Sequence, residues 1–116
     1  MLTTADFKEI VAQAPTNTCI CIDGYHSFMA IPLDLSELED RVFFLGGGYK
    51  YAMSGEGCCF MVCPRGDWRP VYTGWFAEMG ELAKARSGQT SYSNDGGAFS
   101  GSTMDYGSMY RFNAVM

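Results

Sequence analysis

The stretch RVFFLGGGYKYAMSGEGCCFMVCP, residues 41–64, carries most of the information about the fold. RVFFLG (41–46) is an apolar run rich in β-formers and reads as a buried strand. GCCFMVCP (57–64) reads as a second, apolar enough to be covered on both faces. The loop from 46 to 56 shows no periodicity and is too short to carry a crossover helix. The two strands are therefore expected to run antiparallel. Lys50 lies just past the end of the first strand, between Tyr49 and Tyr51.

Working outward, TTADFKEIVAQA (3–14) predicts a helix. Thr3 and Asp6 form a capping box with Asp in place of Glu, and Phe7, Ile10, Val11 and Ala14 make one apolar stripe. Pro15, Thr16 and Asn17 end it. TCICID (18–23) has the pattern of a buried parallel strand, with Asp23 at its carboxyl end, where open α/β sheets place ligand-binding residues. DLSELED (34–40) predicts a short helix with Ser36 and Glu39 as its capping box. PRGDWRP reads as turns, and GWFAEMGELAKAR (74–86) predicts a helix interrupted by Gly80. Residues 87–109 are dense in Gly and Ser, yet Tyr92, Phe99 and Tyr106 suggest an irregular segment packed on something. The tail YRFNAVM ends on apolar residues without a helix stop signal, as if cut mid-element. The expected fold class is α/β: a short mixed sheet with flanking helices, in a single incomplete domain over 1–116.

With 47% hydrophobic and 18% charged residues among 116, the composition is that of a folded domain. A formal charge of -5 argues against a phosphate backbone, so no nucleic-acid partner is expected. The first apolar run after Met1 is too short and too interrupted for a signal peptide or membrane span, so no membrane partner is expected either. The five cysteines fall at 19, 21, 58, 59 and 63. Their odd number and in-strand placement favour reduced thiols and a cytoplasmic location over a disulfide framework. Zinc is the weaker alternative, because Cys-x-Cys and Cys-x-x-x-Cys here lack the turn between ligands that a structural zinc site uses.

A lysine amine held beside a carbonyl is a nucleophile, and pyridoxal phosphate is the cofactor that most often exploits one. Such a site also needs a carboxylate against the pyridine nitrogen and donors for the phosphate. Two parallel strand ends, one giving Asp23 and the next giving Lys50, would bring both groups to one crevice. The plainer alternatives stand beside this: Lys50 as a solvated loop lysine, Asp23 as a turn cap, and Tyr49 and Tyr51 packing the lysine's alkyl stem.

IDGYHSF (22–28), GGGYKYAMSGEGCCFM (46–61) and TGWFA (73–77) together resemble the class V aminotransferase group of fold-type I pyridoxal phosphate enzymes. Tyr before the lysine, and His three residues after the aspartate, resemble its kynureninase branch. The resemblance implies that Lys50 carries the cofactor as a Schiff base and that Asp23 pairs with the pyridine nitrogen. It places His26 near the cofactor's phenolic oxygen or the substrate, and Tyr49 on the phosphate. Trp75 would lie at a subunit interface near the partner's phosphate, and Thr103, more loosely, in a segment reaching the neighbouring cofactor. Lys50 and His26 are the candidate catalytic residues, and no metal is implied.

The match covers only a central fragment of the family's large domain. The phosphate-wrapping loop, the ring-stacking aromatic and the small domain with its carboxylate-gripping arginine have no counterpart. Arg111, in YRFNA, is not assigned that arginine's role. A partial sheet with an uncovered edge is expected to self-associate as a homodimer or higher homo-oligomer, or to pair with a complementary chain. Three functional readings follow: a truncated relative that is catalytically silent alone; a cofactor-binding subunit of a lyase or transaminase acting on an amino acid; or a non-enzymatic binding or structural module reusing the scaffold.

Overall fold

A computed structural model describes residues 2–81 and 92–116, which form two compact units: Met1–Gly66 with Asp105–Met116, and Asp67–Met104. The first is a small mixed α/β unit, a three-stranded sheet with flanking helices. Helix α1 spans Thr4–Gln13. It starts where the sequence predicts: Thr3 Oγ1 accepts from the Asp6 amide at 3.3 Å, and Asp6 Oδ2 accepts from the Thr3 amide at 2.6 Å. Phe7 and Val11 are buried, but Ile10 of the expected stripe is 52% exposed, so the buried face is narrower than the sequence suggests.

Strands β1 (Ile20–Asp23), β2 (Val42–Gly47) and β3 (Cys59–Val62) are arranged in the order β1-β2-β3. β1 and β2 are parallel, with Asp23 opposite Leu45. β2 and β3 are antiparallel, as the short intervening loop requires, with Gly47 opposite Cys59. Alternation puts Ile22, Val42 and Phe44 on one face, where they meet Phe7 and Val11 of α1 and Leu38. Burying one such side chain contributes about 1.5–3 kcal/mol. The opposite face differs from the expectation of strands covered on both sides. Cys21, Cys59 and Met61 are exposed there, because no element among the described residues covers them as α1 covers the first face.

Residues 34–40 do not form the expected helix; they form a series of turns. The reason lies in Asp34, whose Oδ1 accepts from both the amide and the hydroxyl of Ser36, at 3.0 and 2.7 Å. Ser36 is then unavailable as a cap, and Glu39 pairs with Arg65 at 2.7 Å and does not reach back along its own segment. Arg41 closes the same region by donating to the carbonyls of Thr16 and Pro15.

Helix α2 (Gly107–Val115) takes in the tail in which the sequence showed no helix stop signal. Ser108 is buried against Gly57, and the Phe112 ring stacks on Phe28 at 6.1 Å. Phe28 in turn meets Phe60 edge-on at 4.9 Å, and Phe60 approaches Phe44 at 6.4 Å. This row of rings ties the sheet, the turn after β1 and α2 together.

In the unit Asp67–Met104, Trp75–Glu81 and Gly96–Phe99 are 3-10 helices. The α-helix expected over 74–86 is thus a tighter turn as far as Glu81, and its remainder lies outside the described residues. Thr73 donates to the carbonyls of Ala98 and Ser100, and Arg69 donates to the Ser93 carbonyl and the Asn94 side chain.

Candidate functional site

The parallel register fixes which end of the sheet matters. Asp23 is the last residue of β1 and stands opposite Leu45, so the loop that follows Gly47 leaves the sheet at the same end as Asp23. Beyond Gly47 the chain makes a closed loop. The Gly48 amide donates to the Cys58 carbonyl and the Ser54 amide to the Gly48 carbonyl, both at 2.8 Å. The Met53 amide donates to the Lys50 carbonyl at 3.1 Å. This loop carries Tyr49 and Lys50 on the rim.

Lys50 is half-buried, and its Nζ lies 4.9 Å from the centroid of the Tyr49 ring, a cation–π contact. The Tyr49 ring packs against Tyr25 with centroids 5.4 Å apart. Tyr25 belongs to the turn after β1, and its amide donates to Asp23 Oδ1 at 3.1 Å. The Tyr25 ring lies over Gly47, where a Cβ would come 2.5 Å from its Cε1. That close approach requires glycine at 47. The Cys59 thiol beside the Tyr25 hydroxyl, with burial and the nearby charges of Cys59, Tyr49 and Asp23, pushes the phenol up to about 12. Asp23, Tyr25, Tyr49, Lys50 and Cys59 therefore form one contiguous cluster at the carboxyl end of the parallel pair.

Of the residues singled out from sequence, Asp23, Tyr49 and Lys50 meet in this cluster. His26 is exposed in the turn that follows Asp23. Trp75 opens a 3-10 helix in the other unit, half-exposed with its ring edge-on to Phe76 at 4.5 Å, and Thr103 is exposed in that unit. Asp23 also performs the plain task the sequence allowed it, accepting the amide that closes its turn.

Three participants escape a sequence reading. Tyr25 lies inside the IDGYHSF motif with no spacing signal of its own. Cys59 reaches it only because β3 pairs Cys59 with Gly47. Arg111 returns from α2 to donate to the carbonyls of Ser54 at 3.3 Å and Glu56 at 2.8 Å, so it clamps the loop behind Lys50.

The cluster fits one end of pyridoxal phosphate better than the other. An amine for the aldehyde and a carboxylate for the ring nitrogen are present at one rim. For the phosphate the loop offers little. Tyr51 is exposed beside Lys50, whereas Ser54, the one serine in the loop after Lys50, is buried against Gly48, and its Oγ has no hydrogen-bond partner. It points into the packing and not toward the rim, so it offers nothing to an incoming phosphate. Among the described residues no group of three or more His, Cys, Asp or Glu side chains is arranged to hold a metal ion, and all five cysteines are free thiols. No helix among them is long and apolar enough to cross a membrane. Set against protein-family models, the curated proteins and the solved structures, the chain matches none of them.

Proposed function

We propose that this chain corresponds to the central part of a fold-type I pyridoxal phosphate enzyme's large domain, of the class V aminotransferase and kynureninase type. In this reading it keeps a carbonyl-capturing lysine but is catalytically silent by itself. The observation that carries the reading is the parallel register of β1 and β2, which brings Asp23 and the Lys50 loop to the same rim. Lys50 would supply the attachment amine and Asp23 the carboxylate for the pyridine nitrogen. Asp23 uses Oδ1 for its turn, and that bond leaves its second oxygen unused. When bound, pyridoxal phosphate supplies an electron sink for bonds at the α-carbon of an amino acid.

The silence follows from what surrounds the amine. Two exposed phenols, Tyr49 and Tyr51, flank Lys50, and the loop's serine hydroxyl at Ser54 is turned inward. Little would hold a phosphate or orient a scissile bond, and positioning supplies much of catalysis. A complementary chain would supply the missing parts, and a second copy of the chain would cover the open sheet edge and face. The exposed thiols and Met61 on the second sheet face, and β1 at the sheet edge, are surfaces suited to such a partner. A cytoplasmic location fits the free thiols. The second reading, a non-enzymatic module on the same scaffold, draws on Asp23's turn-capping bond, which would explain that residue without any cofactor.

An absorbance titration with pyridoxal phosphate separates these readings. The cofactor reading expects a saturable visible band that weakens in Asp23→Asn, which keeps the turn acceptor and removes the charge. A flat, non-saturable response in the native chain would overturn it and favour the non-enzymatic module.

A further inference from the structure

We infer that Tyr25 is a positioning residue for Lys50: its ring, seated over Gly47 and anchored through its backbone to Asp23, is the platform that holds Tyr49 and, on Tyr49, the lysine ammonium. This rests on the reading of Lys50 as a carbonyl-capturing amine, and it deepens that reading by saying what aims the amine. Every link is a contact. The ring over Gly47 leaves no room for a side chain at that position. The backbone of Tyr25 is fixed by Asp23 Oδ1 at 3.1 Å. Its far end lies beside the Cys59 thiol, on the strand that pairs Cys59 with Gly47. Tyr49 packs on Tyr25 at 5.4 Å, and Lys50 Nζ lies 4.9 Å from the Tyr49 centroid.

The arrangement answers a difficulty of the site. A lysine in a loop has four rotatable side-chain bonds and little reason to sit at one place, and freezing it costs up to about 2 kcal/mol of side-chain entropy. A ring fixed through its backbone and seated on the strand offers a surface on which that loss is offset. Tyr49 alone is 44% exposed and has no such anchoring of its own. Tyr25 has three: the strand below, the thiol beside it and the aspartate behind it. Asp23 then plays a part even without a cofactor, since the same carboxylate that would meet a pyridine nitrogen also fixes the platform.

The test is competitive labelling of lysines, with Lys8 as an internal reference because it lies on α1, paired with Glu37. Reductive methylation with formaldehyde and cyanoborohydride needs neither a phosphate nor a pyridine ring, so it reports Lys50 independently of cofactor binding. Tyr25→Ala is expected to raise the Lys50-to-Lys8 methylation ratio by roughly two- to fivefold, the size of one exposed cation–π contact. In the same variant, reducible pyridoxal phosphate adduct on Lys50 is expected to fall. Tyr25→Phe and Cys59→Ala should each give a smaller shift of equal size, and together no more than either alone. Cys59→Ser, which restores an acceptor, should return the ratio to that of the native chain.

An unchanged methylation ratio in both Tyr25→Ala and Cys59→Ala would overturn the platform. Should Tyr25→Ala unfold, seen as Lys8 labelling rising in step, Cys59→Ala decides alone because that position is exposed. The two ideas fail separately. Native protein that gives no pyridoxal phosphate adduct on Lys50, yet shows the methylation shift, keeps the platform and loses the cofactor. An adduct on Lys50 with no methylation shift does the reverse.

Discussion

In the sheet unit, Phe7, Val11, Ile22, Leu38, Val42 and Phe44 bury large apolar side chains in one cluster. Among the described residues of 67–104, the buried apolar side chains are Ala77 and Ala98. That unit is instead held by bonds to carbonyls: Thr73 to Ala98 and Ser100, and Arg69 to Ser93. Gly74 also packs directly against the backbone of Gly101. The contrast teaches that the candidate site stands on the part of the chain whose geometry is set by packed volume. Packed side chains tolerate little displacement, so a rim built on them keeps its shape.

The comparison is most exposed at Phe44, 2% accessible and central to the cluster. Phe44→Ala should cost about 3–5 kcal/mol, measured by urea unfolding followed in far-ultraviolet circular dichroism. A loss no larger than that of a surface substitution would mean the sheet unit is not held by its core. Gly74→Ala is the matching probe for the other unit. A Cβ there would collide with the Gly101 carbonyl, and relieving it should cost about 1–3 kcal/mol. Both tryptophans, Trp68 and Trp75, lie in 67–104, so their emission reports this change directly.

Arg111→Ala removes both bonds to the loop behind Lys50 and should cost about 1–2 kcal/mol in the same urea experiment. Arg111→Lys should recover only part, because an ammonium lacks the fork that spans two carbonyls. Ser54→Ala goes the other way. Deleting a buried hydroxyl without a partner should leave stability unchanged or raise it by up to about 1 kcal/mol. A clear loss would mean that Ser54 has a bonded role in the loop.

The smallest effect concerns acid. Hydrogen bonds from the Thr3 backbone and then its side chain hold the Asp6 carboxyl below its ordinary value. Its contribution is therefore complete above the unfolded carboxylate range and is lost as pH falls through the lowered folded value. Asp6→Asn should flatten that part of the acid limb of thermal stability. A limb unchanged in the variant would remove the capping box from the account.

Much of the sheet unit was legible because its signals are local. The α1 cap, the three strands and the antiparallel turn all follow from residues within a few positions of one another. Residues 34–40 misled because a Ser-x-x-Glu spacing says nothing of Asp34, which captures the serine first, or of Arg65, which captures the glutamate. The exposed second sheet face was also hidden, since apolar runs such as CFMV carry no mark of whether another layer covers them. At the site, Asp23 and Lys50 could be named from strand ends. Tyr25, Cys59 and Arg111 could not, because each joins through a strand pairing or a helix that returns from far along the chain.

The most direct measurement is borohydride trapping of pyridoxal phosphate on the intact chain, with peptide mapping across Lys8, Lys50 and Lys84. The account predicts an adduct concentrated on Lys50, saturating with cofactor and reduced in Asp23→Asn. Adducts spread evenly over the three lysines, indifferent to Asp23, would contradict it.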